Sequence, residues 1–221
     1  MRTIMADDLL HLLTWLSPAF PTGGFAYSHG LEYAVEARDV TDGAMLREWI
    51  GALLRYGAGR TDAILLRHAY RADDLPRIAA FAAACAPTRE LAAETLNQGT
   101  AFVAAAKPWL PPDLAAVLAA IGPIAYPVAV GALAGATGTD QEATTIAYLH
   151  AWCATLVLAG VRLIPLGQSA GLAVQAALEP IIRAIAEQTR GAELDDIAAC
   201  CIAADIGSMR HETQYTRLFR S

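Results

Sequence analysis

The sequence predicts an all-α fold: a single-domain helical bundle of about eight to ten helices, without significant sheet. Apolar residues recur at helical spacing in most segments, beginning with Leu9, Leu12, Leu13 and Leu16. Prolines, glycines and helix-capping residues separate these segments at short intervals. No alternating strand pattern of useful length, repeat of fixed period or flexible linker is found. Residues 1–221 are therefore predicted to form one domain.

Composition excludes several classes of protein. The chain is 55% hydrophobic and 17% charged, which is outside the range of disordered proteins. Its formal net charge is −6 and no run is rich in lysine or arginine, so no nucleic-acid-binding footprint is expected. The four cysteines lie in apolar helical patterns without CxxC spacing, and the start lacks the apolar core of a signal peptide. Free thiols in the reducing cytoplasm are expected.

The predicted helices follow one another with short breaks. The first is expected to be capped by Asp7 or Asp8 and to end before the loop at residues 17–24, which contains two prolines and two glycines. Asp42, Asp74 and Asp140 mark later helix starts. The later apolar stripes lie at residues 27–35, 46–54, 64–68, 78–85, 91–106, 114–121, 126–138, 146–160, 169–187 and 194–204.

Residues 126–138 are apolar and rich in glycine. Within them, Gly131, Gly135 and Gly138 recur at intervals of about one helical turn. Glycine has no side chain to hold a neighbouring backbone away. This spacing predicts a close approach between two helices or a bend.

The tail at residues 205–221 differs from the rest, because it combines two aromatic residues with three arginines. On a helix, one side would carry His211, Tyr215, Leu218 and Phe219, and the other Arg210, Gln214 and Arg217. Chain ends are normally poorly ordered and carry few large apolar side chains. The unusual composition of this tail has two interpretations. One is a partner-binding arm, and the other is a last helix docked on the protein's own core.

Two apolar segments raise the alternative of a small helical membrane protein. Residues 143–161 carry no formal charge over nineteen positions, which is long enough to cross a bilayer, and residues 114–133 are nearly as apolar. Both contain polar or helix-breaking residues, including His150, Pro123 and Pro127, and neither has a clustered basic flank. An alanine-rich helix in the centre of a soluble bundle has the same composition, and we favour that interpretation.

Residues that could do chemistry are few. The chain has no phosphate-binding GxxxxGK[ST] loop, and neighbouring Ser28 and His29 diverge on a helix, so no catalytic residue or cofactor site is predicted. On a helix, His29 and Glu32 would share a face and offer two metal ligands, with His211 as a further weak candidate. These three residues support a third hypothesis, a metal-dependent enzyme. A protein-contact surface explains the same residues better.

Four ordered blocks span the chain: residues 16–32 (LSPAFPTGGFAYSHGLE), 94–102 (ETLNQGTAF), 161–168 (VRLIPLGQ) and 208–221 (SMRHETQYTRLFRS). In content, order and spacing they resemble the urease accessory protein family UreF. One departure is visible at Leu172, where the family usually continues with a second Gly-Gln.

The resemblance implies a dimeric, all-helical and non-catalytic chaperone of nickel insertion in the cytoplasm. Members of the family join the accessory protein UreD (also called UreH) and the GTPase UreG in a complex that activates the urease apoprotein, and they are thought to modulate GTP hydrolysis by UreG. Nickel is expected to pass through the complex, with no tightly bound cofactor in this chain. No contact with membrane or nucleic acid is implied.

The resemblance also places candidate partner-binding residues at both ends of the chain, at about residues 1–32 and 205–221, and at residues 162–168 near the dimer or UreG face. The tail is expected to be poorly ordered alone and helical once UreD is bound. The candidates are Pro18, Phe20, Pro21, Gly23, Gly24, Tyr27, Ser28, His29, Glu32, Arg162, Pro165, Gly167, Gln168, Met209, Arg210, His211, Glu212, Tyr215, Arg217, Leu218 and Phe219.

Overall fold

The computed structural model describes residues 5–71, 74–198 and 200–221, and all regular structure in these ranges is helical. In chain order, the α-helices are α1 Ala6–Trp15, α2 Leu31–Glu36, α3 Gly43–Tyr56, α4 Ala58–Tyr70, α5 Leu75–Ala84, α6 Arg89–Ala105, α7 Pro112–Ile121, α8 Tyr126–Thr137, α9 Gln141–Leu163, α10 Gln168–Gln188 and α11 Ile202–His211. Short 3-10 helices lie at Gly24–Ala26, Lys107–Trp109 and Leu194–Asp196. The all-α bundle is confirmed, and the described residues hold eleven α-helices, one more than the predicted upper bound.

The centre of the bundle is the pair α4 and α8. Helix α8 is buried along most of its length, and its glycines face the α4 backbone. A Cβ atom at Gly131 would lie 2.2 Å from the Leu66 carbonyl oxygen, and one at Gly135 would lie 2.2 Å from that of Tyr70. The two helices can approach this closely only because no side chain separates them. The predicted close approach is confirmed at Gly131 and Gly135, whereas Gly138 ends α8 with φ of 70° and contacts no other helix through its Cβ position.

Local capping explains where several helices begin. The side chain of Asp42 accepts the backbone N–H of Met45 at 2.8 Å, and Asp140 accepts that of Ala143 at 2.8 Å. Asp74 caps α5 in the same way, by accepting from Arg77 at 3.1 Å. Each carboxylate satisfies a donor that the helix itself leaves unpaired. These three predicted starts are confirmed.

The first helix differs from its prediction in two respects. Its N-cap is Met5, and Asp8 lies inside the first turn, where its carboxylate accepts the Met5 N–H at 3.3 Å. Helix α1 buries Leu12 and Trp15 and exposes Leu9 and Leu13. Trp15 packs edge-on against Trp109 and is fully buried. The large indole therefore sets the rotation of the helix, rather than the row of leucines.

Two other predicted helices differ in extent. The stripe that begins at Tyr27 becomes helical only at Leu31, because Gly30 adopts a left-handed conformation with φ of 77°. A continuous helix over residues 194–204 is also wrong. Past the short turn at Leu194–Asp196, the N–H of Cys200 bonds to the Tyr56 carbonyl at 2.8 Å, and α11 begins at Ile202. A hydrogen bond to a distant helix thus replaces a local one.

Helices α9 and α10 are long and apolar enough to cross a membrane by length and composition alone. In the apolar window of α9, 39% of the residues are buried inside the protein, and in that of α10, 33% are. The core helix of a soluble protein can have the same length and composition, so these two helices are weak evidence for a membrane protein. The segment at residues 114–133 is not one helix, because Gly122 and Pro123 separate α7 from α8.

Candidate functional site

The four sequence blocks meet at one place, although they are distant along the chain. In the tail, the Arg220 N–H donates to the Ala26 carbonyl at 2.8 Å. The hydroxyl of Ser221 donates to Glu94 on α6 at 2.6 Å. The guanidinium of Arg162, at the end of α9, lies 4.3 Å from the centre of the Phe219 ring. The convergence of these blocks defines the candidate site.

Only the first part of the tail, residues 205–211, is the helix that its periodicity predicts. Helix α11 ends at His211, and the following residues run irregularly along the surface. Of the predicted apolar side, His211 and Phe219 are buried, whereas Tyr215 is fully exposed and Leu218 is 63% exposed. The resemblance implies a tail that is poorly ordered alone and helical with UreD, whereas the structure shows residues 212–221 packed on the rest of the chain and not helical. The chain end docks on the protein's own body.

Glu32 connects the tail to the body. Its Oε1 accepts the Leu218 N–H at 2.7 Å, and its Oε2 accepts the Phe219 N–H at 2.9 Å. The same Oε2 lies 3.0 Å from Nε2 of His211. The side chain of Glu32 is 6% exposed and that of His211 is fully buried. A buried carboxylate with three donors around it is well satisfied, since charged acceptors form the stronger hydrogen bonds.

His211 bridges two carboxylates. Its Nδ1 lies 2.7 Å from Oε2 of Glu90 on α6, opposite the contact with Glu32. The second oxygen of Glu90 accepts a hydrogen bond from Arg217 at 3.1 Å. Two carboxylates on opposite sides of the imidazole are both satisfied when both ring nitrogens carry hydrogens. The bridge holds α2, α6 and α11 together.

The last residue lies in a polar socket. A main-chain oxygen of Ser221 accepts from the Ser28 N–H at 2.9 Å and from the Ser28 hydroxyl. The Ser221 hydroxyl also accepts the His29 N–H at 3.3 Å. Ser221 and Ser28 are fully buried. Ser28 and His29 therefore hold the chain end and do not form a nucleophilic pair.

The predicted His29–Glu32 metal face does not form. His29 precedes α2, with φ of 55°, so it does not lie one helical turn before Glu32. Its Nδ1 lies 3.5 Å from Glu94, whereas Glu32 turns to His211. Within the described residues, no group of three or more His, Cys, Asp or Glu side chains is arranged to hold a metal ion.

Behind the socket lies a cavity of about 90 Å³ that His29, Asp62, Glu94, Tyr148 and Asp205 help to line. Burial raises the pKa of the Asp62 carboxyl to about 7, although the Tyr148 hydroxyl donates to it at 2.7 Å and the positive charge of His29 opposes the shift. Burial alone would lower the pKa of His29, but the charge of Glu94, whose carboxylate lies 3.5 Å from its Nδ1, raises that pKa above its usual value.

A cleft on the outer side contains the third block. Its walls include Pro18 and Phe25 of the N-terminal loop, Trp152 and Arg162 of α9, and Gln168 at the start of α10. Arg162 donates to the Phe25 carbonyl at 3.0 Å, which joins the loop to α9. Pro165 and Gly167 lie next to this cleft in sequence and are exposed. Leu172, at the position where the sequence departs from the family pattern, is 71% exposed.

The candidate partner residues divide by exposure. Six are buried instead of facing solvent: Tyr27, Ser28, His29, Glu32, His211 and Phe219. All of them except Tyr27, whose hydroxyl accepts a hydrogen bond from Asn97, take part in the contacts between the tail and the rest of the chain. Four are half-buried: Phe20, Gly23, Gly24 and Glu212. Those available to a partner are Pro18, Pro21, Arg162, Pro165, Gly167, Gln168, Met209, Arg210, Tyr215, Arg217 and Leu218.

Sequence reasoning missed several residues of this site. Glu90 and Glu94 lie one turn apart on α6, and both bond to the tail. Asp62 lies on α4, and nothing in the local sequence marks it as part of this site. Phe25 is 77% exposed beside the tail. The sequence signal for Glu90 and Glu94 is their spacing of one turn on a helix with a buried face. Buried carboxylates require hydrogen-bond partners, so such a pair indicates a polar contact.

Comparison with known proteins identifies the family of the chain. The family model described as UreF matches residues 40–179. A relative from Methylorubrum populi is 50% identical over 222 residues, which covers 97% of this chain and 99% of the relative. Relatives from Bradyrhizobium sp. strain BTAi1 (49% identical, 96% of this chain and 92% of the relative) and Roseobacter denitrificans (45%, 100% and 97%) are similar over nearly their whole length. Each is described as "Urease accessory protein UreF". The chain therefore belongs to the UreF family of urease accessory proteins.

Proposed function

We propose that this protein is a non-catalytic, cytoplasmic accessory protein of urease maturation, which joins UreD (UreH) to the GTPase UreG on the urease apoprotein and modulates GTP hydrolysis by UreG. The observation that carries the proposal is the convergence of the four family blocks around the tail. The same region leaves large apolar side chains in solvent. A protein that works by binding others needs such a surface, and exposed apolar patches mark binding sites.

The UreD contact surface in this proposal consists of Phe25, Met209, Tyr215 and Leu218, which are 77%, 52%, 103% and 63% exposed. Arginines at 210, 217 and 220 are exposed around them. Large apolar residues that enter a partner's pockets supply most of the binding energy in protein interfaces, whereas charges at the rim govern orientation and association rate.

The test replaces exposed residues only. In the double variant Tyr215→Ala, Leu218→Ser, we expect copurification with UreD to be lost while the melting temperature stays within about 2 °C, because neither side chain is part of the core. Val117→Ala on α7, also an exposed apolar residue, is the control. Undiminished copurification of the double variant would contradict the assignment. Deletion of residues 208–221 is a poorer test, since it removes the buried His211.

In this proposal UreG binds at the outer cleft, which Pro18 and Gln168 line, and at Pro165, which lies next to the cleft in sequence. All three are exposed, so substitution should leave the fold intact. In Pro18→Ala, Gln168→Ala, we expect UreD binding to persist and the effect on GTP hydrolysis by UreG to be lost. The measurement is the hydrolysis rate of UreG with and without the UreD complex of each variant. An unchanged effect would remove UreG from this cleft.

The proposal includes a homodimer and nickel as cargo, without a resident metal. Sedimentation velocity of the free protein is expected to give twice the chain mass of 23.3 kDa. The soft ligands in the chain are few, which favours passage over storage. Equilibrium dialysis of the isolated protein is expected to show no tight stoichiometric nickel binding. A monomer, or a tight one-to-one nickel complex, would contradict the corresponding part.

A further inference from the structure

The inner cavity, the space of about 90 Å³ beside His29 and Asp62, contains more acidic than basic side chains. Three carboxyl groups line it: Asp62 on α4, Glu94 on α6 and Asp205 on α11. The described lining residues include neither lysine nor arginine, so His29 is the only basic side chain among them. Buried acidic groups without an opposite charge are costly. The excess of carboxyl groups therefore favours a positively charged ligand.

His29 contributes a ring nitrogen without a partner to the wall of the inner cavity. The residue is 7% exposed, and its Nδ1 has no hydrogen-bond partner among the described residues. The Glu94 carboxylate lies 3.5 Å from this nitrogen, which is too long for a good hydrogen bond. Trp152 packs edge-on against the imidazole, with 5.5 Å between the ring centres, and so limits its rotation. Since buried polar atoms are normally paired, the free nitrogen indicates that a molecule in the cavity supplies its partner.

The pKa of Asp62 also indicates a deficit of positive charge in the inner cavity. Burial raises this pKa to about 7, and the hydrogen bond from Tyr148 and the charge of His29 offset only part of the shift. A carboxylate beside a lasting positive charge has a lowered pKa. A cation in the cavity would supply that charge and favour the ionised form of Asp62.

The rest of the wall suits a short alkyl chain. Leu53 and Leu65 are buried there, and Pro87 is exposed at the edge. One water needs about 10–15 Å³ of such a volume, so the inner cavity has room for roughly six water-sized groups. Tyr126 and Trp152 add aromatic rings, which attract cations. The cavity therefore combines an acidic part with an apolar part.

We propose that the inner cavity binds a primary alkylammonium group, whose N–H groups donate to Asp62, Asp205 and the Nδ1 of His29 while its alkyl chain packs on the leucines. Both carboxyl groups are close enough to His29 to affect its pKa, so the three acceptors surround one region. An ammonium group donates hydrogen bonds and accepts none, which matches them. A metal ion fits less well, because no group of three or more His, Cys, Asp or Glu side chains in the described ranges is arranged to hold one.

The first experiment observes His29 directly in the free protein. The chain has five histidines, so labelling with ¹⁵N-histidine gives five imidazoles to follow by NMR. At pH 8, where more of His29 is neutral than at lower pH, n-butylammonium chloride should shift the His29 signal saturably. A dissociation constant on the order of 1 mM is expected for so small a ligand. His150, which is exposed on α9, is the internal control and should not shift. Absence of a saturable shift at His29 would overturn the proposal.

Two matched ligands separate the charge, the N–H donors and the alkyl chain, at constant ionic strength. Tetramethylammonium has the same charge without N–H groups, and 1-butanol has the same chain without the charge. Both should bind at least about ten-fold more weakly than n-butylammonium, because each lacks part of the interaction with the carboxylates. An equal response to tetramethylammonium would reveal a general ionic effect, and an equal response to 1-butanol a purely apolar cavity. Either result would overturn the proposal.

Two variants of the protein test the acceptors. Asp62→Asn and Asp205→Asn keep the shape of the side chain and remove its charge, so each should weaken n-butylammonium binding about ten-fold or more. Asp196→Asn, at an exposed position outside the cavity, is the control and should bind as the unsubstituted protein does. Histidine signals that are unchanged without ligand show that a variant is folded. Unaltered affinity in both cavity variants would contradict the proposal, and if one variant fails to fold, the other decides.

The same ammonium group occurs on free small amines and on the lysine side chains of other proteins. Nα-acetyl-lysine methylamide distinguishes these two sources, because it carries the group on a chain of similar length that is attached to a backbone. Binding as tight as that of n-butylammonium would show that the cavity admits a lysine side chain. Binding at least about ten-fold weaker would restrict the site to free amines. Both results support an alkylammonium site, and the choice between them names its source.

Discussion

At the scale of single residues, burial and neighbouring charges shift the pKa values of two carboxyl groups in opposite directions. Asp62 lines the cavity beside His29 and Glu94, and burial raises its pKa to about 7. Arg67 on α4 is 2% exposed, and it is neutralised by Glu142, whose carboxylate lies 2.6 Å away. Partial burial opposes ionisation of Glu142, but hydrogen bonds from Arg190 and Arg67 lower its pKa. One carboxyl therefore favours its neutral form and the other its charged form.

Asp62→Asn tests the first of these environments. Since the folded pKa of Asp62 is raised, its contribution to stability is full below the unfolded pKa of about 4 and is lost as pH rises through about 7. Relative to Asp62→Asn, the unsubstituted protein should lose up to about 1.4 kcal/mol of unfolding free energy per pH unit between pH 5 and 7. Urea unfolding at pH 5, 6, 7 and 8 measures this. Parallel pH profiles of the two proteins would contradict it.

Arg67→Met tests the environment of the buried ion pair between Arg67 and Glu142. Arg67 also donates to the Ala186 carbonyl at 2.7 Å and to Thr189 at 3.3 Å, so its loss leaves buried acceptors unpaired. We expect destabilisation by about 3 kcal/mol in chemical unfolding. Arg183→Met, which removes an exposed ion pair with Glu179, should cost less than about 0.5 kcal/mol. Equal effects of the two substitutions would show that burial does not govern this contribution.

At the scale of helices, close packing between α4 and α8 organises the bundle. Their contact depends on Gly131 and Gly135, which admit the α4 backbone. The long α9 packs against both helices and against α10, and it carries Arg162 to the edge of the site. A change in the spacing between α4 and α8 would therefore move the walls of the cavity, since Thr61, Asp62 and Leu65 of α4 line it.

Gly131→Ala should consequently be severely destabilising. The added methyl group would lie 2.2 Å from the Leu66 carbonyl oxygen, and backbone cannot rotate away as a side chain can. We expect a loss of about 3 kcal/mol or more, seen as a drop in the urea midpoint. Gly191→Ala is the matched control, because a Cβ there meets nothing within 4 Å. Similar midpoints for both variants would contradict the packing argument.

At the scale of the whole molecule, the apolar helices that permit a membrane interpretation are used to build a core. Helix α9 presents Tyr148 to Asp62 at 2.7 Å and buries Cys153, Leu156 and Val157 in the same cluster as residues of α3 and α8. Polar contacts of this kind are expensive in hydrocarbon unless they face a protein interior. The same helix therefore supplies both the centre of the bundle and one wall of the site.

Extraction without detergent tests this interpretation. We expect the expressed protein in the supernatant after high-speed centrifugation, because its longest apolar helices pack on one another. The measurement is the fraction recovered with and without detergent, with a known membrane protein as reference. Recovery in the membrane pellet alone would instead support the membrane alternative.

The sequence by itself determined the helices and the family. Helical periodicity and the caps Asp42, Asp74 and Asp140 are local signals, and local signals act before the chain folds. The glycine spacing of α8 likewise predicted a close helix approach. The four ordered blocks predicted the UreF family from sequence alone, and the family model and the relatives confirm that prediction.

Only the tertiary structure decided what the blocks do. Glu32, His211 and Glu90 are far apart in sequence, and nothing local indicates that they meet. Periodicity predicts a helical tail with Tyr215 and Phe219 on one side. The hydrogen bonds from its backbone to Glu32 and Ala26 replace those of a helix and send the two aromatics to solvent and to the core. Tertiary contacts overrode the local pattern because a buried carboxylate must find donors wherever the fold supplies them.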